Sequence, residues 1–117
     1  MDRDRARVLL AAEREEIERQ LAGLVHADEA AAAEAEQFGV HSANLAPELV
    51  QDELDEGLRE ELRGQLAAVE RAEQRVAAGT YGLSVQSGEP IPDERLEAVP
   101  TAELTVAEAE EQARRST

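Results

Sequence analysis

The 117-residue sequence contains no cysteine and no lysine, and Phe38 and Tyr81 are its only aromatic residues. Without thiols the chain can form neither disulfides nor a cysteine-based zinc site. Two aromatic rings cannot build a base-stacking platform, and they leave little material for a wide core. No run of about 18 apolar residues and no apolar signal core are present, so we expect a soluble, cytoplasmic protein without a membrane partner.

Positive charge is also scarce. The chain has 12 Arg against 27 Asp and Glu, which gives a net charge of −15. Phosphates would repel such a surface over most of its area, so we expect no direct binding to DNA or RNA. Alanine and glutamate are abundant, with 22 and 21 residues, and both favour helix. The composition therefore predicts a mostly α-helical protein.

A first long helix is predicted from Asp4 to about Glu36, because this segment lacks proline and its apolar residues follow a heptad pattern. The pattern is carried by Leu10, Ile17, Leu21, Leu24, Ala31, Ala35 and Phe38. Arg14 and Asp28 interrupt it. Since an interrupted heptad pattern gives little apolar surface for self-association, we expect a monomer.

A second long helix is predicted from Glu48 to Ala78. Its apolar stripe consists of Leu54, Leu58, Leu62, Leu66, Val69, Ala72 and Val76. The periodicity stops between Phe38 and Pro47, which predicts a tip at residues 39–47. Two helices of similar length joined by a short connection bury their stripes by folding back, so residues 1–78 are predicted to form a long antiparallel helical hairpin, a coiled coil.

Residues 79–117 are predicted to form a small globular lobe with a C-terminal helix. Glycines at 79 and 82 end the second helix, and residues 83–88 suggest a short strand and a turn. A short helix is predicted over residues 93–98, and Thr101 is a candidate cap for a last helix that reaches Arg115. The candidate core of the lobe comprises Tyr81, Leu83, Val85, Ile91, Leu96, Val99, Leu104 and Val106.

The segment AGTYGLSVQSGEPIPDERLEAVPTAELT, residues 78–105, closely resembles the signature of the DksA/TraR family of bacterial RNA polymerase regulators. The resemblance implies a coiled-coil finger on a zinc-finger-like lobe. The four cysteines that bind a structural zinc in that family map onto Ser84, Ser87, Thr105 and Glu108. Three hydroxyls and one carboxylate are poor zinc ligands, so we expect a lobe without metal and a protein without cofactor.

Two interpretations of these four side chains remain open. The hydroxyls of Ser84, Ser87 and Thr105 can donate hydrogen bonds to the Glu108 carboxylate and keep the chain segments together without an ion. Alternatively, all four side chains face water.

The same resemblance implies RNA polymerase as the partner, because family members insert the finger into the secondary channel of the enzyme. The family's tip motif, Asp-x-Ala-Asp-x-Ala, corresponds to His41-Ser42-Ala43-Asn44-Leu45-Ala46, in which both acids are replaced. The residues expected to contact polymerase are Val40, His41, Ser42, Asn44 and Leu45. Neutral side chains offer hydrogen bonds without a full charge, so we do not expect the family's activity with guanosine tetraphosphate to be retained in full. Whether guanosine tetraphosphate binds at the interface with polymerase stays open.

No phosphate-binding loop, catalytic triad or cofactor motif is present, and the two histidines, His26 and His41, do not have metal-ligand spacing. The sequence therefore predicts a non-enzymatic regulator of bacterial transcription that binds RNA polymerase and not DNA. The alternative is a structural coiled-coil module that has lost the polymerase activity and pairs with itself or with another coiled coil.

Overall fold

The computed structural model describes residues 1–38 and 45–116, and the side chains of residues 1–25 and 53–116. Its helices are α1 (Arg3–Phe38), α2 (Leu45–Ala78), α3 (Asp93–Ala98) and α4 (Val106–Arg115). The described residues form no extended strand, and Leu83 and Pro90 form an isolated antiparallel bridge. The prediction of a mostly α-helical protein is confirmed. Within the described part, no helix is both long and apolar enough to cross a membrane.

The two long helices extend slightly beyond their predicted bounds. Helix α1 runs from Arg3 to Phe38, and α2 begins at Leu45, before the predicted start at Glu48, and ends at Ala78. Gly79 follows with a φ of 78°, a left-handed conformation that glycine adopts without steric cost. Its N–H donates to the carbonyl oxygen of Val76 at 3.2 Å. A glycine after the last periodic residue therefore ends α2 as the sequence predicts.

Two local predictions in the lobe differ from the structure. In residues 83–88 the predicted turn is present, with the Gly88 N–H donating to the Ser84 carbonyl oxygen at 2.9 Å, but the predicted strand is reduced to the isolated bridge between Leu83 and Pro90. The cap of the last helix is Thr105 and not Thr101. A capping box needs an acid three residues after the cap, and that position holds Glu108 after Thr105 but Leu104 after Thr101.

The chain divides into two compact units. The terminal unit consists of residues 1–14 and 67–117, and the central unit consists of residues 15–66. The terminal unit thus combines the predicted lobe of residues 79–117 with the first turns of α1 and the last turns of α2. Both long helices contribute to each unit.

In the terminal unit, α1 and α2 pack antiparallel. Ala6 and Leu10 of α1 form a buried cluster with Ala72 and Val76 of α2. Further along α1, Arg14 forms ion pairs with Glu70 and Glu73, which precede Val76 on α2. The contact therefore moves backward along α2 as it moves forward along α1, which is the arrangement expected for a hairpin. Arg14, which interrupts the heptad pattern, joins the two helices electrostatically.

A second buried cluster lies in the lobe and consists of Ile91, Leu96 and Ala102. Met1 and Tyr81 pack against both this cluster and the cluster between α1 and α2. The hydroxyl of Tyr81 donates to the carbonyl oxygen of Pro100 at 2.7 Å, and burial raises the pKa of this phenol. The terminal unit therefore has one apolar interior that spans its helices and its lobe.

Only part of the predicted lobe core is correct. Ile91 and Leu96 are buried, but four of the predicted core residues are exposed, namely Leu83, Val85, Val99 and Val106. Leu83 and Val85 flank the buried Ser84. The turn directs the Ser84 hydroxyl to Glu108, and both neighbours are left at the surface.

The central unit buries less of its predicted stripe. Ile17 and Leu62 are buried, and Leu24 is half-buried. Leu54 and Leu58 were predicted to face the seam, and they are 63% and 41% exposed. The predicted seam residues Ala31, Ala35 and Phe38 have side chains outside the described residues.

Candidate functional site

Ser84 is the most connected residue of the lobe. It is 5% exposed, and its backbone N–H donates to the Glu89 carbonyl oxygen at 2.8 Å. Its Oγ accepts hydrogen bonds from the backbone N–H groups of Gln86 at 3.1 Å and Ser87 at 3.2 Å. This turn gives the serine oxygen two donors, so its own proton needs an acceptor elsewhere.

Glu108 supplies that acceptor. The Ser84 Oγ donates to Glu108 Oε1 at 2.6 Å, and this bond joins the turn after α2 to the first turn of α4. The predicted hydrogen bond between these two side chains is therefore present. A buried hydroxyl whose donor and acceptor capacities are all used has no desolvation penalty left uncompensated.

Thr105 interacts with Glu108 mainly through its backbone, with a smaller contribution from the hydroxyl on which the prediction relied. Its Oγ1 accepts from the backbone N–H of Glu108 at 3.3 Å, while its own backbone N–H donates to Glu108 Oε1 at 2.9 Å. These two bonds form the capping box of α4. Threonine thus fixes the start of the helix, and the helix start places Glu108 against Ser84.

Ser87 is exposed, and its Oγ accepts from the backbone N–H of Glu89 at 3.3 Å. Its hydroxyl also contributes, after Ser84 and the backbone of Thr105, to lowering the pKa of Glu108 to about 2, compared with an ordinary value of 4.5. Hydrogen bonds to a carboxylate stabilise its charged form. Glu108 therefore keeps its negative charge to a lower pH than an ordinary glutamate.

This donor set does not fit a zinc ion. Structural zinc is held by thiolate or imidazole ligands in tetrahedral geometry, and these four positions provide three neutral hydroxyls and one carboxylate. Oε1 of that carboxylate already accepts from Ser84 and Thr105. Among the described residues, no group of three or more His, Cys, Asp or Glu side chains could hold a metal ion.

Glu103 makes a second connection, between the lobe and α2, which the sequence analysis did not identify. Arg71 Nε donates to Glu103 Oε1 at 2.9 Å, and Arg75 Nη1 lies 3.6 Å from the same oxygen. The carbonyl oxygen of Glu103 accepts from the Val85 N–H at 2.9 Å. Arg71 and Arg75 lie four residues apart on α2, a spacing that places both on one face and could have indicated an acidic partner in the lobe.

Glu97 makes a third connection, between α3 and α1. Arg5 Nε and Nη2 donate to the two carboxylate oxygens of Glu97 at 2.9 and 2.7 Å. This bidentate hydrogen bonding lowers the pKa of Glu97. Nothing in the local sequence around either residue indicates the pairing, because 92 positions separate them.

The expected polymerase-contacting residues lie outside the described part of the chain. Val40, His41, Ser42 and Asn44 belong to the undescribed residues, and Leu45 is the first residue of α2, with a side chain outside the described set. Their roles stay a prediction.

The chain is similar to several known proteins. Residues 79–114 match the family model of the prokaryotic dksA/traR C4-type zinc finger. General stress protein 16O of Bacillus subtilis is 48% identical over 59 residues, which are 50% of this chain and 36% of that protein. The uncharacterized protein YteA of the same organism is 43% identical over 68 residues, 58% of this chain and 28% of that protein. The chain thus matches about a third of the length of these curated relatives.

One solved structure is similar over nearly the whole chain. The structure of transcription factor DksA2 from Pseudomonas aeruginosa has a TM-score of 0.78 and 29% sequence identity to this protein, and the match covers 97% of this chain and 84% of that one. The family model covers the residues that surround Ser84 and Glu108, and the structural match adds both long helices. Residues 79–114 are therefore a divergent dksA/traR-type zinc-finger segment that lacks the zinc-binding cysteines, and the chain as a whole is similar in structure to transcription factor DksA2.

Proposed function

We propose that the protein regulates bacterial transcription by binding RNA polymerase through the secondary channel, with residues 40–45 directed toward the active centre. The observation that carries the proposal is the similarity to transcription factor DksA2 over 97% of the chain. A similarity limited to the lobe would support a shared zinc-finger-like fold alone. Because it includes α1 and α2, it also supports a shared way of binding.

The charge distribution supports a protein partner with a basic surface. The central unit contains 3 Arg and 14 Asp and Glu, a net charge of −11 in 52 residues. Such a charge is attracted to a basic channel and is repelled by nucleic acid. Binding to polymerase is therefore expected to weaken as the salt concentration rises.

The lobe is suited to act without zinc. Ser84, Glu108 and Thr105 connect the turn after α2 to α4 by hydrogen bonds. A regulator built in this way would respond neither to zinc nor to thiol oxidation. Its activity would depend on the packing of the terminal unit.

The loss of two acidic residues at the tip should change the effect of the protein on transcription initiation. His41 and Asn44 occupy the positions of the two aspartates in the family motif, so a channel-bound tip would bring no carboxylate to the catalytic magnesium. We expect the protein to occupy the channel and to change initiation less strongly, or differently, than a tip with both acids.

The test combines binding and in vitro transcription with the cognate polymerase. Wild-type protein is compared with the His41→Asp, Asn44→Asp variant, and the control is Gln65→Asp, Gln74→Asp, which adds the same charge at two exposed positions of α2. We expect wild type to compete with another channel-binding factor. The tip variant should alter transcription from responsive promoters, and the control should behave as wild type.

The proposal fails if wild type neither binds polymerase nor competes for the channel. Sedimentation velocity then tests the structural alternative. A stable dimer would identify a coiled-coil interaction module, and a monomer would exclude self-association as its role.

A further inference from the structure

On the described part of α2 in the central unit, the charged side chains of Asp55 and Arg59 are less exposed than the apolar side chains of Leu54 and Leu58. Arg59 has a side chain that is 16% exposed, and Asp55 is half-buried. Leu54 is 63% exposed and Leu58 is 41% exposed. Burial of apolar surface alone would give the opposite arrangement.

Helix geometry explains how this arrangement arises. At about 100° per residue, Leu58 lies about 40° and Leu54 about 80° from the buried Leu62 around the helix axis. Asp55 and Arg59 lie about 20° and 60° from Leu62 in the opposite direction. The inward face of α2 is therefore on the side of the charged pair, and both leucines lie beyond its edge.

The two leucines form one continuous surface. They lie four positions apart in the sequence and therefore about one helical turn apart on the same side of α2. Leu54 is 63% exposed and Leu58 is 41% exposed, so a side chain from another molecule could reach both leucines.

The surroundings of this surface are strongly acidic. Residues 53–61 contain five acids against a single Arg, namely Glu53, Asp55, Glu56, Glu60, Glu61 and Arg59. Arg59 Nη1 lies 3.5 Å from Glu56 Oε2, so its charge is already used within the helix. Glu53, Glu60 and Glu61 are exposed. An apolar patch with an acidic rim is complementary to an apolar side chain with a basic rim.

We propose that Leu54 and Leu58 form a docking surface for a basic segment of RNA polymerase that places an apolar side chain against them. The leucines supply the apolar contact, and the surrounding glutamates supply attraction and orientation. The inference rests on the proposed function, and it adds a binding surface on α2 that lies outside the predicted tip.

The test is an affinity measurement with intact polymerase and the full-length protein. The Leu54→Ala, Leu58→Ala variant removes the apolar contact and keeps a good helix former at both positions. The matched control is Val8→Ala, which truncates an apolar side chain of α1 that is 59% exposed and belongs to the terminal unit. We expect at least about tenfold weaker binding for the leucine variant and unchanged binding for the control.

A second variant tests the acidic rim. Glu60→Gln, Glu61→Gln removes two charges with little change in shape. We expect weaker binding at low salt and a reduced salt dependence compared with wild type, because rim charges act mainly through long-range attraction.

The outcomes separate this inference from the proposed function. If wild type binds polymerase and the leucine variant binds equally well, the docking surface is overturned and the function stands. If wild type does not bind at all, both fail. A wild-type dimer that becomes monomeric in the leucine variant would assign the surface to a second copy of the chain. An unfolding midpoint lowered well beyond that of the Val8→Ala control would mean that the leucines stabilise the fold, and it would also overturn the proposal.

Discussion

The terminal and central units use the same two helices in different ways. The terminal unit has a net charge of −4 in 65 residues, whereas the central unit has −11 in 52. The terminal unit buries residues from α1, α2 and the lobe, including Leu10, Val76 and Leu96. Among the described side chains of the central unit, the buried apolar residues are Ile17 and Leu62.

This contrast separates stability from recognition. The terminal unit combines apolar burial with connections between distant segments, such as Ser84 to Glu108 and Arg71 to Glu103. The central unit keeps leucines at its surface and concentrates negative charge around them. The first arrangement stabilises the fold by packing and hydrogen bonds, and the second is the surface that we propose for a partner. Each of the following predictions tests this division.

The largest effect is expected from truncating the lobe core. Leu96 is fully buried, so Leu96→Ala should lower the free energy of unfolding by about 3 kcal/mol through lost burial and the cavity it creates. The matched change Leu58→Ala in the central unit should cost less than about 1 kcal/mol, because this side chain is already 41% exposed. Urea unfolding of both variants measures the difference. Equal losses would contradict the contrast between the units.

A smaller effect is expected at the hydrogen-bonded site. Ser84→Ala leaves two backbone N–H groups and one carboxylate without their partner, and this should lower the free energy of unfolding by about 1 to 3 kcal/mol. Ser87→Ala is the control, since this residue is exposed and makes fewer hydrogen bonds. If the two variants lose equal stability in thermal unfolding, Ser84 is not the residue that organises the site.

The pH dependence of stability should reveal Glu108. In the unfolded chain its carboxyl titrates near the ordinary value of 4.5, whereas in the folded protein its pKa is about 2. The unfolded state therefore binds the proton first, and the stabilisation is complete above about pH 4.5 and is lost as the pH falls through about 2. Comparing acid unfolding of wild type with Glu108→Gln isolates this contribution. If the stability of wild type and of the variant changed with pH in the same way, a contribution from Glu108 would be excluded.

No effect is expected from zinc. Neither added zinc nor a zinc chelator should change the unfolding midpoint of the wild-type protein, because hydroxyl groups do not replace thiolates as zinc ligands. Elemental analysis of the purified protein provides the independent measurement. Stoichiometric zinc would show that other groups supply the ligands and that the terminal unit is not stabilised by packing and hydrogen bonds alone.

Much of the local structure was accessible from the sequence. The heptad pattern and the glycine at position 79 predicted both long helices, and the bounds of α3 agree with residues 93–98. The cap of α4 could have been predicted as well, because Thr105 and Glu108 have capping-box spacing. These features depend on residues at most a few positions apart.

The contacts between distant segments were harder to predict from the sequence. A hydroxyl network around Glu108 was one of two open interpretations, and the observed network adds the Thr105 backbone N–H to the expected hydroxyls. The apolar stripe of α2 continued through Leu54 and Leu58 in the sequence, although both are exposed. Periodicity identifies a helix but leaves open how the helix rotates against its neighbour.

The sequence by itself determined the helices, the acidic charge and the absence of thiol ligands, because these follow from composition and from neighbours along the chain. The tertiary structure decided which leucines are buried, which carboxylate accepts the hydrogen bond from Ser84 and which arginines bind Glu103. Each of these depends on the relative rotation and register of segments far apart in the chain. Many sequence patterns are compatible with several such arrangements, and only the packing of all segments together selects one.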